Sequence, residues 1–301
     1  MAIARAALAS LVAIVVTGSL VRLTGSGLGC DDWPACNERR FVDVTSGHAA
    51  IEQVNRLFTG VVAAAVVVAV LASFLVVPRR RIVRWLAVGQ VLGVLAQVVI
   101  GGVVVLTGLN PWSNMVHFLV SVLLVTLGVL LVDEARDARP DGAIGAPTAW
   151  LAVASCSLAA AAIVLGTVVT ATGPHAGDAE APRFDLDLGS VARLHSSSVL
   201  ACLACLAVLS WRLGRSGGER QALGRPVQGM LAAGLLQGFV GYLQYFSGVP
   251  ALLVAVHIAL SMAFWIAVVR TARFAVIAAR RPSRAGRGSP VQGRGQVAAP
   301  R

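Results

Sequence analysis

The stretch Asn114–Val132, NMVHFLVSVLLVTLGVLLV, holds one ionisable side chain, His117, in an otherwise apolar run. At 1.5 Å rise per residue such a helix reaches about 28 Å, close to the thickness of a bilayer's hydrocarbon core. Lipid offers no partners to backbone N–H and C=O groups, so the segment must be a helix that satisfies its own backbone. Seven more runs of spanning length lie near 4–23, 48–77, 84–106, 148–170, 190–211, 226–246 and 250–279. The expected fold is therefore an all-α integral membrane protein with eight transmembrane helices.

Composition agrees. Of 301 residues, 57% are hydrophobic and 13% charged, with a mean hydropathy of +0.79. A soluble domain of this size cannot hide that much apolar surface. The net charge of +11 comes from arginine alone, since no lysine occurs. The arginines sit in loops between apolar runs, a positive-inside pattern rather than a nucleic-acid surface. Arg79, Arg80, Arg81 and Arg84 separate the second and third runs. Arg136 and Arg139 follow the fourth, and Arg212, Arg215, Arg220 and Arg225 separate the sixth and seventh. The opposite loops carry Asp31, Asp32, Glu38 and Asp43, and Asp178, Glu180, Asp185 and Asp187. A multi-pass cell-membrane protein follows, with both termini cytoplasmic and the loops 24–47 and 171–189 outside. Residues 282–301, rich in Arg, Gly and Pro, read as a disordered cytoplasmic tail. Cys156, Cys202 and Cys205 lie in apolar runs and read as small hydrophobes. Cys30 and Cys36 lie in the first outer loop, in an oxidising compartment where a disulfide persists.

The chain also repeats itself. Thr17–Val21 with Thr24-Gly25 matches Leu165–Val169 with Thr172-Gly173 at an offset of 148. Leu95-Ala96-Gln97 with Gly101 matches Leu235-Leu236-Gln237 with Gly241 at an offset of 140, which also relates His117 to His257. His48 and His195 differ by 147. An even number of helices per unit makes the repeat parallel. Two four-helix bundles are expected, 1–135 and 148–281, joined by a cytoplasmic linker at 136–147.

Four of the five histidines mark the second, fourth, sixth and eighth helices. His117, His195 and His257 fall on the order of 5–10 Å below the outer surface, judged by helical rise, with His48 shallower. Ionisable groups within a membrane are costly and mark function. Imidazoles from facing helices are how a four-helix bundle holds haem, so one haem site per half is expected. Zinc would want thiol or carboxylate partners at the same level, and only Glu52 offers itself. His48, Glu52 and Arg56 share one stripe of the second helix. There Arg56 is expected to face a haem propionate and Glu52 the porphyrin edge. Arg193 is a second propionate candidate.

Taken together, Gly18–Cys30 (GSLVRLTGSGLGC), Trp33-Pro34-x-Cys36, Glu52-x-x-Asn55-Arg56 and Gly173–Asp178 resemble haem A synthase of the CtaA type, over almost the whole chain except the tail. The resemblance implies an enzyme that oxidises a ring methyl of haem O to a formyl group, giving haem A for cytochrome oxidase. It implies a bis-histidine haem B on His195 and His257, a substrate site with His117, Glu52 as the essential carboxylate, and a Cys30–Cys36 disulfide. Haem O synthase and an electron partner would serve it. Many members carry Glu-x-x-His-Arg where this chain has Asn55, so His48 is expected to supply that imidazole. Some members also carry a second cysteine pair, which 171–189 lacks.

Two rivals make other predictions. A two-haem cytochrome b-like electron-transfer protein uses the histidines but gives Glu52 no task. A transporter predicts midplane polar groups, whereas the polar residues here cluster near the outer face.

Overall fold

In a computed structural model the described residues are 1–281, and the expected tail at 282–301 lies outside them. Eight helices follow one another: α1 (Ala2–Leu23), α2 (Gly47–Ser73), α3 (Arg81–Leu106), α4 (Pro111–Ala135), α5 (Ala146–Thr172), α6 (Leu188–Gly214), α7 (Gly217–Phe246) and α8 (Ala251–Ala279). Polar residues punctuate the apolar runs. The Ser46 side chain accepts from Ala49 N at the start of α2, and Asn110 from Trp112 N at the start of α4, where Pro111 occupies the first turn. Such caps satisfy N–H groups that the helix leaves unpaired. Asp187 caps α6 by accepting from Ser190 N. Hydrogen bonding from Ser190, through its side chain and then its backbone, holds the Asp187 carboxyl below the usual range.

Seven of the eight helices are long and apolar enough to cross a membrane; α7 is not among them. Its first turns carry Glu219, Arg220 and Arg225, and the helix runs through Pro226, nine residues earlier than the apolar run alone predicts. It still packs along both α6 and α8. Large apolar side chains such as Leu57, Leu71, Val99, Phe239 and Leu252 stand exposed around the bundle, as a lipid-facing perimeter requires. Trp85, Trp150 and Trp211 are exposed near the helix ends opposite the long loops, where amphipathic rings favour an interface.

The contacts form two rings. Helices α1–α2, α2–α3, α3–α4 and α4–α1 touch in turn, as do α5–α6, α6–α7, α7–α8 and α8–α5. Helix α8 leans on α1 and α4, and α4 on α5, which joins the rings. Between them Trp265 Nε1 donates to Thr126 Oγ1 at 2.8 Å, Arg270 pairs with the fully buried Asp133 at 2.8 Å, and Arg273 pairs with Glu134 at 2.8 Å. Identical turns close α3–α4 and α7–α8: Gly108-Leu109 and Gly248-Val249 all take positive φ. Leu109 N bonds back to Val104 O and Val249 N to Gln244 O, each at 2.8 Å. A left-handed Leu or Val is strained, so these turns are over-determined by their surroundings.

Candidate functional site

The three deep histidines sit at matching levels, seven or eight residues into α4, α6 and α8. Each lies against a glycine of the preceding helix. A Cβ built on Gly101 would stand 3.5 Å from His117 Cε1, one on Gly166 3.3 Å from His195 Cε1, and one on Gly241 3.0 Å from His257 Cε1. Removing a side chain there gives the imidazole its seat. The backbone beside two of them is clamped in the same way: Gln97 Nε2 donates to His117 O at 3.0 Å and Gln237 Nε2 to His257 O at 2.9 Å. These glycines and glutamines mark the repeat in the sequence, and their task shows only in the fold.

His195 and His257 face each other, with ring centroids 6.5 Å apart at 73°. With metal–nitrogen bonds of about 2 Å on each side, trans imidazoles around one ion place their centroids roughly 6 Å apart. His195 Nδ1 donates to Ala162 O at 2.9 Å, leaving Nε2 as the open nitrogen, the usual arrangement for a ligating histidine. The Nδ1 atoms of His257 and His117 are buried without a protein partner. A small cavity lined by Ala159, Ala162, Cys202, Gly234, Gln237 and Phe264 lies among α5–α8, bordered by Ala162 and Gln237, which bond His195 and His257. These side chains fit a bis-imidazole haem better than a bare ion: no group of three or more His, Cys, Asp or Glu gathers among the described residues. Cys202 and Cys205 are free, and Cys202 Sγ packs on Ser155 O.

The first ring is built differently. The position against Gly18 belongs to Asn55, whose Nδ2 would lie 3.8 Å from a Cβ there, and Thr17 Oγ1 donates to Asn55 Oδ1 at 2.8 Å. His48 is exposed at the start of α2, with Nδ1 2.9 Å from Ser26 Oγ, and stands seven residues, about 10 Å of rise, from Asn55. Nothing brings it to the level of His117.

Glu52 and Arg56 form the knot that the helical spacing predicts, but it faces the first loop. Glu52 is buried; its Oε1 accepts from Arg56 Nε at 3.0 Å and from Nη2, and its Oε2 accepts from Cys30 N at 2.8 Å. Arg56 Nη1 donates to Asp32 O and Ala35 O, and Nη2 also to Cys30 O. All five guanidinium N–H groups are thereby used, leaving none for a propionate. Between these bonds the loop is closed by the Cys30–Cys36 disulfide. Trp33 is driven in against α3, where any Cβ on Gly102 would meet its ring at 2.3 Å. The first loop is thus pinned against α2 and α3, one residue along α3 from the glycine that seats His117. In the same loop Asp43, bonded by the Thr45 side chain and backbone, has its pKa lowered to about 2.

The second loop holds without cysteines. Arg183 donates to Gly173 O and Pro174 O, His175 Nε2 donates to Val249 O at 2.8 Å, and Phe184 stacks edge-on against Trp112. The loop also crosses to the first ring, where Gly27 N donates to Gly177 O at 2.9 Å and Leu109, Ala176 and Ala181 cluster. Arg193 is exposed and spends itself on Ser190 Oγ and Asp187.

Residues 2–182 match the family described as COX15-CtaA, cytochrome oxidase assembly protein. A protein named heme A synthase from Listeria welshimeri is 34% identical over 135 residues, 42% of this chain and 44% of the relative. Its namesakes from Geobacillus thermodenitrificans and Bacillus pumilus are 32% and 35% identical over 127 residues, with 40% and 41% of their own lengths covered. The chain thus spans less than half the length of these relatives. His195 and His257 lie beyond the family match, whereas Glu52, Arg56, His117 and the disulfide loop lie within it. On that match, the COX15-CtaA family is the one to which this chain belongs.

Proposed function

We propose that this protein converts haem O to haem A, oxidising one ring methyl to a formyl group, with haem O among α1–α4 and a resident haem B among α5–α8. The facing imidazoles of His195 and His257, 6.5 Å apart, carry the reading. A haem supplies the one-electron chemistry, and the protein supplies its seat and its field. His195 and His257 would hold the resident group; the Ala162 carbonyl fixes the tautomer of His195, and Gly166 and Gly241 leave the rings room. His117, seated on Gly101, is the imidazole of the substrate half. Glu52 is the carboxylate assigned to the reaction, and it also pins the first loop to α2 through Arg56 and Cys30 N. Family membership, at 34% identity to proteins named heme A synthase, supports the same chemistry.

The proposal includes α7 as the eighth span, both termini in the cytoplasm, and a parallel duplication into 1–135 and 148–281 about the 136–147 linker. The paired Gln–His clamps, the glycine seats and the identical left-handed turns support that duplication. Haem O synthase as supplier and a separate electron partner complete the assignment. The test is haem extraction and chromatography after expression in a host that supplies haem O. Haem A or its hydroxymethyl precursor is expected. His195→Ala and His257→Ala should lose the low-spin haem spectrum, while His117→Ala keeps it and blocks product. Two unmodified haems with no oxidised product would instead make the protein a cytochrome b-like electron carrier.

A further inference from the structure

Helix α1 turns one stripe toward its ring: Ala4, Ala7, Leu11 and Val15 are buried, and Gly18 meets Asn55. The next position on that stripe, four residues on, is Arg22. A cation at a core-facing position of a membrane helix needs an anion. Of the other arginines at this end, Arg56, Arg183, Arg193 and Arg40 are consumed by ion pairs and hydrogen bonds, and Arg39 stands exposed to water in the first loop. No ion pair or hydrogen bond among the described residues engages the Arg22 guanidinium. Arg22 is partly buried, and its stem is roofed by the second loop: a Cβ on Gly177 would stand 3.1 Å from Arg22 Cγ. The stem of Arg22 therefore starts one turn above the Gly18–Asn55 contact, under the roof of the second loop. At the matching place in the other ring, offset by 148, stands neutral Thr170.

We propose that Arg22 is the carboxylate anchor of the first ring and binds a propionate of the haem substrate. Arginine is suited to this task because its planar fork meets a carboxylate through two parallel hydrogen bonds. The inference rests on haem binding among α1–α4, and the experiment separates the two. The full chain, already loaded with haem B, is titrated in detergent with ferric protohaem and with its dimethyl ester, for wild type, Arg22→Gln and Arg22→Lys. Binding is followed by absorbance and by quenching of tryptophan fluorescence. Wild type should prefer the free acid by roughly ten- to a hundredfold, the weight of a charge-assisted bond. Arg22→Gln should bind the ester as wild type does and lose the preference, and Arg22→Lys should keep part of it. An unchanged melting transition in Arg22→Gln ties that loss to the anchor. A full preference surviving in Arg22→Gln overturns the anchor, and so does a wild type that takes acid and ester equally through His117. A wild type that takes up neither probe beyond its resident haem overturns the first-ring haem site and the anchor with it.

Discussion

Glu52→Gln tests what the buried pair does. Both oxygens of Glu52 accept: one from Arg56 Nε and Nη2, the other from Cys30 N. Whichever way a glutamine amide turns, its NH2 group points at a donor. The pair is well shielded, with side-chain exposures of 15% for Arg56 and 7% for Glu52. Charge-assisted bonds are lost and Arg56 keeps only carbonyl partners, so the expected loss is about 3 kcal/mol, a large share of a typical total of about 5–15 kcal/mol. Thermal unfolding of the detergent-purified variant should show a clearly lower transition. Arg56→Lys breaks the same knot while leaving the carboxylate in place, and should fall by a comparable amount. Haem chromatography on both variants then separates pin from chemistry. If Glu52 acts on the reaction, product from Glu52→Gln drops on the order of a hundredfold or more below that from Arg56→Lys. An unchanged melting transition in Glu52→Gln would refute the pinning argument, and equal product from both variants would refute the chemical one.

Membrane-impermeant maleimide on intact cells should label Cys30 and Cys36 only after reduction; labelling without reductant, or only after lysis, counts against the disulfide or the outward orientation. Gly241→Ala puts a methyl 3.0 Å from His257 Cε1 and should weaken or shift the low-spin haem spectrum, whereas Gly60→Ala, with no atom within 4 Å, should not. Identical spectra from the two would remove the glycine seat from the argument. His48→Ala should retain haem A output, since its imidazole bonds Ser26 at the exposed start of α2. Asn55→His should be accepted opposite Gly18, and loss of output in His48→Ala would restore His48 as a ligand.

The sequence by itself determined the helices and the histidines. Run length and arginine-rich loops are local signals, and a bilayer admits few answers to them. The deep placement of His117, His195 and His257 followed from counting along each helix. The start of α7 did not, because its first turns are polar and their helicity comes from packing against α6 and α8 rather than from apolar length. Nor was the fate of the charged groups legible. Helical spacing brought Glu52 and Arg56 together, but only the folded first loop, returning Cys30, Asp32 and Ala35 to α2, uses up every Arg56 donor. Matching offsets paired His48 with His195, whereas in three dimensions Asn55 takes the place opposite the glycine. The first loop is longer than the second, so equal sequence offset does not mean equal depth. Whether a donor is spent or free depends on segments twenty or more residues away, and Arg22 is recognised as unspent only once they are in place.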